Sequence, residues 1–311
     1  MNKILNIFIK QDKSTPSHTS YNIFGIKLRL LKPSIRKERA KAALFYHSFS
    51  NASDIPPAEG NLRLIQKANA KFLKIFDEIC TEHQLQYWLD WGTLLGAIRH
   101  KGFIPWDDDL DIAMPRDSYN KLIQLFKDNK ITNSDIYLEF ENNNYNKCFI
   151  KLGYKASKNL FIDIFPYDYY YKATDDNEKF EISKTLRKKI KKNFFKSHSS
   201  VEEITEYFRH ITNKDILKNN NIDIAVKPSV FAGLDYPHPL TNWVYDWENI
   251  FPLQKMEFEN FNLSVPNDTD KVLKNMFGNY MEIPKDAYPR HTSYVDIDEQ
   301  EKIFLEEFVD G

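Results

Sequence analysis

The apolar positions of this chain fall into two rhythms. At Leu62, Ile65, Ala68, Phe72, Phe76, Ile79 and Cys80 they recur at three- and four-residue intervals, which predicts one long amphipathic helix over 62–83. Downstream, short runs rich in β-branched, aromatic and other apolar residues predict strands over 87–90, 110–114, 136–140, 148–152 and 160–164. Gly92 and Thr93 form a turn leading into a short helix over 94–99, and a second helix is expected over 118–127. Near the end, 253–258 and 261–265 pair as a hairpin turning at Glu259-Asn260. A helix over 268–277 is closed by Gly278.

The flanks are less regular. Residues 1–35 show no clear order, 36–49 read as a helix, and 50–60, with Pro56-Pro57 and Gly60, read as a linker. The stretch 21–32 mixes apolar and basic residues, which suits either an element packed on the main domain or contact with an anionic membrane surface. Lysine-rich 178–196 and the stretch 202–211 are predicted helices, and the run 188–192 reads first as a solvated helix face. The expected organisation is therefore an extension and linker over 1–60 and a catalytic domain over 61–311, with a mostly helical insertion near 170–245. The element order implies an α/β or α+β core with an added helical segment.

Composition narrows the function classes. Over 311 residues the formal net charge is −1, which argues against a general nucleic-acid binder. The two cysteines, Cys80 and Cys148, form neither a metal-type spacing nor a disulfide framework. No run approaches the roughly 20 apolar residues of a spanning helix, and the apolar start is too short for a signal peptide, so a cytoplasmic protein is expected. Aromatic residues are 14% of the chain and are assigned mainly to the core.

The chemistry concentrates in Trp106-Asp107-Asp108-Asp109-Leu110-Asp111. Four carboxylates within five positions repel one another unless a cation neutralises them. On a strand, alternate side chains share a face, so Asp109 and Asp111 converge, with Asp107 on the same side, while Leu110 and Ile112 enter the core. Such oxygen ligands on a rigid element suit a hard divalent cation. Asp108 falls on the opposite face, with another role or none. Asp163, alone in the apolar run Phe161-Ile162-Asp163-Ile164-Phe165, is a third ligand or a base, because an unpaired buried carboxylate costs several kcal/mol. Upstream, Gly92 and Thr93 at a helix start offer hydrogen bonds to phosphate oxygens, and Arg99 and Lys101 offer charge for a diphosphate.

Residues 87–112, from Tyr87-Trp88-Leu89-Asp90-Trp91-Gly92-Thr93-Leu94-Leu95-Gly96 through Ile104-Pro105-Trp106-Asp107 to Asp109-Leu110-Asp111, resemble the signature of the LicD family, which includes the fukutin-related proteins. Ile162-Asp163-Ile164-Phe165-Pro166 resembles the family's second acidic strand. Phe251-Pro252-Leu253, Val265-Pro266 and Phe277-Gly278-Asn279-Tyr280-Met281 resemble its closing hairpin and helix. The resemblance spans about 61–292. It implies an α+β, nucleotidyltransferase-like mixed sheet flanked by helices. It also implies transfer of a phospho-alcohol from a CDP-linked donor to a glycan or glycolipid hydroxyl, with release of CMP. Phosphocholine is the first cargo to consider, with ribitol or glycerol phosphate as alternatives, and lipopolysaccharide, teichoic acid or capsule are the acceptor types. Mg²⁺, with Mn²⁺ as the alternative, would be held by Asp109, Asp111 and Asp163, with Asp107 or Asp163 as base. Arg290 and His291 lie where the family carries a basic or histidine-containing segment, which implies a phosphate contact. Compared with the wider nucleotidyltransferase pattern, Arg99 to Trp106 lengthen the gap between the glycine turn and the acid pair.

Three rival functions share parts of this pattern. A true nucleotidyltransferase would release pyrophosphate, and a metal-dependent glycosyltransferase would release a nucleoside diphosphate. A non-catalytic glycan- or partner-binding module would leave the in-strand acids without a purpose. A membrane-linked acceptor would make peripheral contact with the inner face of the membrane useful.

Overall fold

The computed structural model describes residues 9–23, 26–142, 148–170, parts of 175–188, isolated positions at 203, 215 and 218, then 227–233, 243–291 and 294–311. Most of the expected helical insertion lies outside the described residues. The chain forms two compact units, one from Met1–Gln66, Pro105–Asp108 and Met281–Gly311, the other from Lys67–Ile104 and Asp109–Tyr280.

In the first unit, β1 (Ile9–Ser14), β2 (His18–Ile23) and β3 (Ile26–Leu31) form an antiparallel meander, where the sequence showed no order. Polar residues such as Thr19, Ser20 and Asn22 interrupt any apolar alternation, which leaves these strands without a local signal in the sequence. Leu28 and Leu30 are exposed. Helix α1 (Pro33–Tyr46) starts three residues before the expected helix, at a proline whose missing N–H costs nothing in a first turn. The C-terminal α7 (Glu299–Asp310), which the sequence reading did not assign, is capped by Asp298, whose side chain accepts from the Glu301 N–H. Ser17, fully buried, donates its hydroxyl to Asp296 at 2.5 Å.

The second unit is α+β. Its principal sheet is mixed and has seven strands among the described residues. β8 (Ser157–Tyr170) is its axis. Along one edge of β8 run β7 (Cys148–Tyr154) and then β9 (Ser229–Ala232), both antiparallel to it. Along the other edge lies β5 (Asp111–Pro115), parallel to β8 and followed outward by β4 (Trp88–Leu89). β6 (Ile136–Asn142) flanks β7, and β10 (Val244–Tyr245) flanks β9.

Helix α2 (Gly60–Glu82) buries the predicted stripe, with Ile65, Phe72, Leu73 and Phe76 fully enclosed. Its Asn69 continues the pairing along β8 ahead of the point where β5 begins. The Asn69 side chain donates to the Asn159 carbonyl at 3.0 Å and accepts from the Phe161 N–H at 3.2 Å. Helices α3 (Trp91–His100) and α4 (Arg116–Lys127) bracket β5. At the start of α4, Arg116 makes a two-pronged ion pair with Asp168 of β8, at 2.9 and 2.8 Å, both side chains being buried.

A short helix α5 (Trp247–Ile250) precedes the expected hairpin of β11 (Gln254–Phe258) and β12 (Phe261–Val265). Glu259 and Asn260 turn it with φ of 49° and 67°, as a two-residue turn matched to strand twist requires. Helix α6 (Thr269–Phe277) follows, capped by Asp268 and ended by Gly278, as the sequence predicts.

Candidate active site

Asp111 opens β5, and its backbone is held at both ends by the start of α3. The Asp111 N–H donates to the Thr93 hydroxyl at 2.8 Å, and its carbonyl accepts from the Asp90 N–H at 3.0 Å. One residue earlier, the Leu110 carbonyl accepts from the Asp163 N–H at 2.8 Å. The parallel register then sets Asp111 directly beside Asp163. Ile112, Ile162 and Ile164 point the other way and are fully buried, so the two carboxylates share the opposite face. Adjacent strands lie about 4.8 Å apart, close enough for both carboxylates to reach one cation. Asp109 lies two residues before Asp111 and is half-buried, as they are. Leu110 between them is fully buried, as the alternation predicts, although the regular strand begins only at Asp111.

These donors suit a hard divalent cation. They are carboxylate oxygens carried on a stiff backbone, and Asp111 and Asp163 are neighbours on one rung. The same rung continues across the sheet to Lys151 of β7, the register partner of Asp163. Its Nζ lies 2.9 Å from Asp163 Oδ1 and 3.6 Å from the centre of the Phe161 ring. The sequence reading passed over Lys151, although it sits in an apolar strand just as Asp163 does.

The remaining candidates of this unit are spread along α3. Gly92 and Thr93 occupy its first turn, beside Asp111. Arg99 and Lys101 sit at its other end. The buried Arg99 guanidinium donates to the Tyr280 carbonyl at 2.9 Å. Lys101, in a left-handed conformation at the C-cap, has a side chain 77% exposed and 4.0 Å from Glu257. Asp90, at the residue before the helix, is fully buried, and its side chain accepts from the Tyr167 hydroxyl at 2.7 Å. Burial pushes its carboxyl up to about 7, and the Tyr167 hydrogen bond offsets part of that rise. Trp91 adopts φ of 45°, a strained conformation for a bulky residue, and packs its ring against Trp243 at 4.0 Å and Phe165 at 5.6 Å.

In the first unit, Asp107 is half-buried and its carbonyl accepts from Gln66 at 2.7 Å. Asp108, given no role from the sequence, is the most enclosed of the four acids and pairs with His291 Nδ1 at 2.7 Å. Its partner comes from near the C-terminus, a contact that local spacing cannot reveal. The carbonyls of Arg290 and His291 accept from Arg39, and the Arg290 side chain pairs with Asp286 at 2.6 Å.

Residues 84–204 match the LicD/FKTN/FKRP nucleotidyltransferase domain. Over 262 residues, 74% of this chain and 96% of the relative, the chain is 30% identical to the lipopolysaccharide cholinephosphotransferase LicD of Haemophilus influenzae. The chain belongs to the LicD family. Two uncharacterized proteins align over a shorter stretch. The one from Rickettsia typhi is 30% identical over 123 residues, 37% of each chain. The one from Rickettsia prowazekii is 31% identical over 128 residues, 41% of this chain and 42% of its own. The family match takes in α3, Asp109, Asp111, Lys151 and Asp163 together. Among the described residues of this LicD family member, no helix is long and apolar enough to cross a membrane.

Proposed function

We propose that this LicD family member transfers phosphocholine, or a related phospho-alcohol, from a CDP-linked donor to a hydroxyl of a cell-surface glycan of the lipopolysaccharide type, releasing CMP. The observation that carries the proposal is the rung on which Asp111 and Asp163 stand side by side in parallel strands. It is supported by the 30% identity to a lipopolysaccharide cholinephosphotransferase across 96% of that protein.

Asp109, Asp111 and Asp163 would hold Mg²⁺. When bound, the ion neutralises the diphosphate and the charge that develops on the departing CMP. The chain's own part is mostly positioning, because phosphoryl transfer asks for alignment and charge stabilisation more than for covalent chemistry. Thr93 and Asp90 hold the Asp111 backbone, Leu110 holds that of Asp163, and Asn69 fixes β8 two residues upstream. The acids are thereby set before the substrate arrives, so little ordering cost falls on the reaction itself.

The test is a donor screen with CDP-choline, CDP-ribitol and CDP-glycerol against a lipopolysaccharide-type acceptor, with and without Mg²⁺. Metal-dependent CMP release, with choline retained on the acceptor, is the expected result. Pyrophosphate as the product would replace this function with nucleotidyl transfer, and a nucleoside diphosphate would replace it with glycosyl transfer. Asp111→Asn should lower turnover by at least about a hundredfold with an unchanged far-UV spectrum. Turnover near the wild-type rate would remove Asp111 from the metal set. Asp163→Asn should shift the Mg²⁺ titration to higher concentration.

A further inference from the structure

The acid rung contains a cation that neither the phosphotransfer proposal nor the comparisons use. Lys151 Nζ is 2.9 Å from Asp163 Oδ1, and the two side chains are only 17% and 14% exposed. Ile150 and Leu152 on either side are fully buried on the other face of β7. The ammonium also rests 3.6 Å from the centre of the Phe161 ring, so a long, flexible side chain is held in one place by a charge and an aromatic face. For stability alone such a pair gains little, since two apolar side chains of similar size serve as well or better when charges leave water. A fixed cation in a row of carboxylates is instead what an incoming polyanion requires.

Charge balance leads the same way. Asp109, Asp111 and Asp163 together exceed the charge of one divalent ion, and a nucleoside diphosphate adds more negative charge. Arg99 and Lys101 do not stand on this rung. Thr93, on the first turn of α3, touches Asp111, and Lys101 follows at the opposite end of the helix, about 12 Å along its axis at 1.5 Å per residue. Among the described residues, Lys151 is the basic side chain that the strand register aligns with Asp163 and Asp111.

We propose that Lys151 binds the donor, its ammonium contacting a phosphate oxygen of the nucleoside diphosphate while Asp163 and Phe161 hold it in position. An ammonium has three N–H donors, so it can keep Asp163 and take a phosphate together. The identity of the ligand as a CDP-linked donor rests on the phosphotransfer function proposed above; its class, a diphosphate anion, rests on the rung.

The experiment is calorimetric titration of the full chain with CDP and with inorganic pyrophosphate, in buffer containing Mg²⁺. Lys151→Met should weaken both ligands by about tenfold or more, whereas Lys151→Arg, which keeps the charge, should stay within about threefold of wild type. In turnover, Lys151→Met should raise the donor KM more than it lowers kcat. A second measurement uses the unaltered protein: saturating pyrophosphate should slow acetylation of Lys151 by acetic anhydride, followed by mass spectrometry of the peptide.

Wild-type affinity for both ligands in Lys151→Met, or acetylation at the same rate with and without pyrophosphate, would overturn the assignment. So would a wild-type protein that binds neither ligand. Normal Lys151→Met binding in an enzyme that still releases CMP would remove Lys151 and keep the phosphotransfer function. Lys151-dependent diphosphate binding without CMP release from any CDP-linked donor would do the reverse.

Discussion

Arg116 and Asp168 meet as a two-pronged, fully buried ion pair, and the cost of separating them is the cost of leaving one charge alone in the core. Arg116→Met is therefore expected to destabilise the protein by about 3–5 kcal/mol in urea unfolding, while the double change Arg116→Met with Asp168→Leu should recover much of the loss. A double variant no more stable than the single would mean that the pair holds the start of α4 by geometry as well as by charge. Individual residues were legible in the sequence in so far as their neighbours were. Asp163 stood out because apolar residues surround it, and Lys151 carried the same mark between Ile150 and Leu152, but a lysine's long stem can lie on apolar surface with its head in water, so the mark is weaker for a lysine than for an aspartate. For Asp108 strand alternation indicates only a face different from that of Asp109, and its partner His291 lies almost at the other end of the chain, beyond the reach of local pattern.

At the scale of elements, the long helix α2, the hairpin β11–β12 with its turn at Glu259-Asn260, and the cap-to-glycine span of α6 follow from local pattern and local chemistry. The meander β1–β3 does not, because its strands alternate too little to mark a buried face. Nor does the pairing of β5 with β8, which depends on which strands meet rather than on the content of either. Asn69 shows how a helix enters that pairing. Its carboxamide makes both hydrogen bonds that a further residue of β5 would make to β8. Asn69→Leu should cost about 2–4 kcal/mol, since it leaves a part-buried N–H and a buried carbonyl unmatched; thermal unfolding would read it, and Asn69→Asp should restore at most the accepting half. Gly96 is a second point of close fit, where a Cβ would collide with the Gly102 carbonyl. Gly96→Ala is expected to lower both melting temperature and turnover, because the segment it would displace runs on to the acids. An unchanged melting temperature would show that residues 101–104 can move aside.

For the molecule as a whole, acid sensitivity should track His100. Burial, helped by the neighbouring Arg99 charge, brings its imidazole down to about 4 from an ordinary 6.5. The folded protein keeps this ring neutral where the unfolded chain would protonate it. Its contribution to stability is thus fully present above pH 6.5 and is lost as pH falls from there toward 4. In His100→Gln, the fall in melting temperature between pH 7 and pH 5 should be smaller by several degrees, and an identical fall would mean that other groups govern acid unfolding. The parallel rung of Asp111 and Asp163 has a consequence for assembly that is separate from chemistry. A slip of one residue between β5 and β8 would turn one of these carboxylates into the layer held by Ile112, Ile162 and Ile164, where it would lie dry and uncompensated. The two acids penalise every pairing of the central strands that is out of step by an odd number of residues, so they guard the alignment on which their own proximity depends.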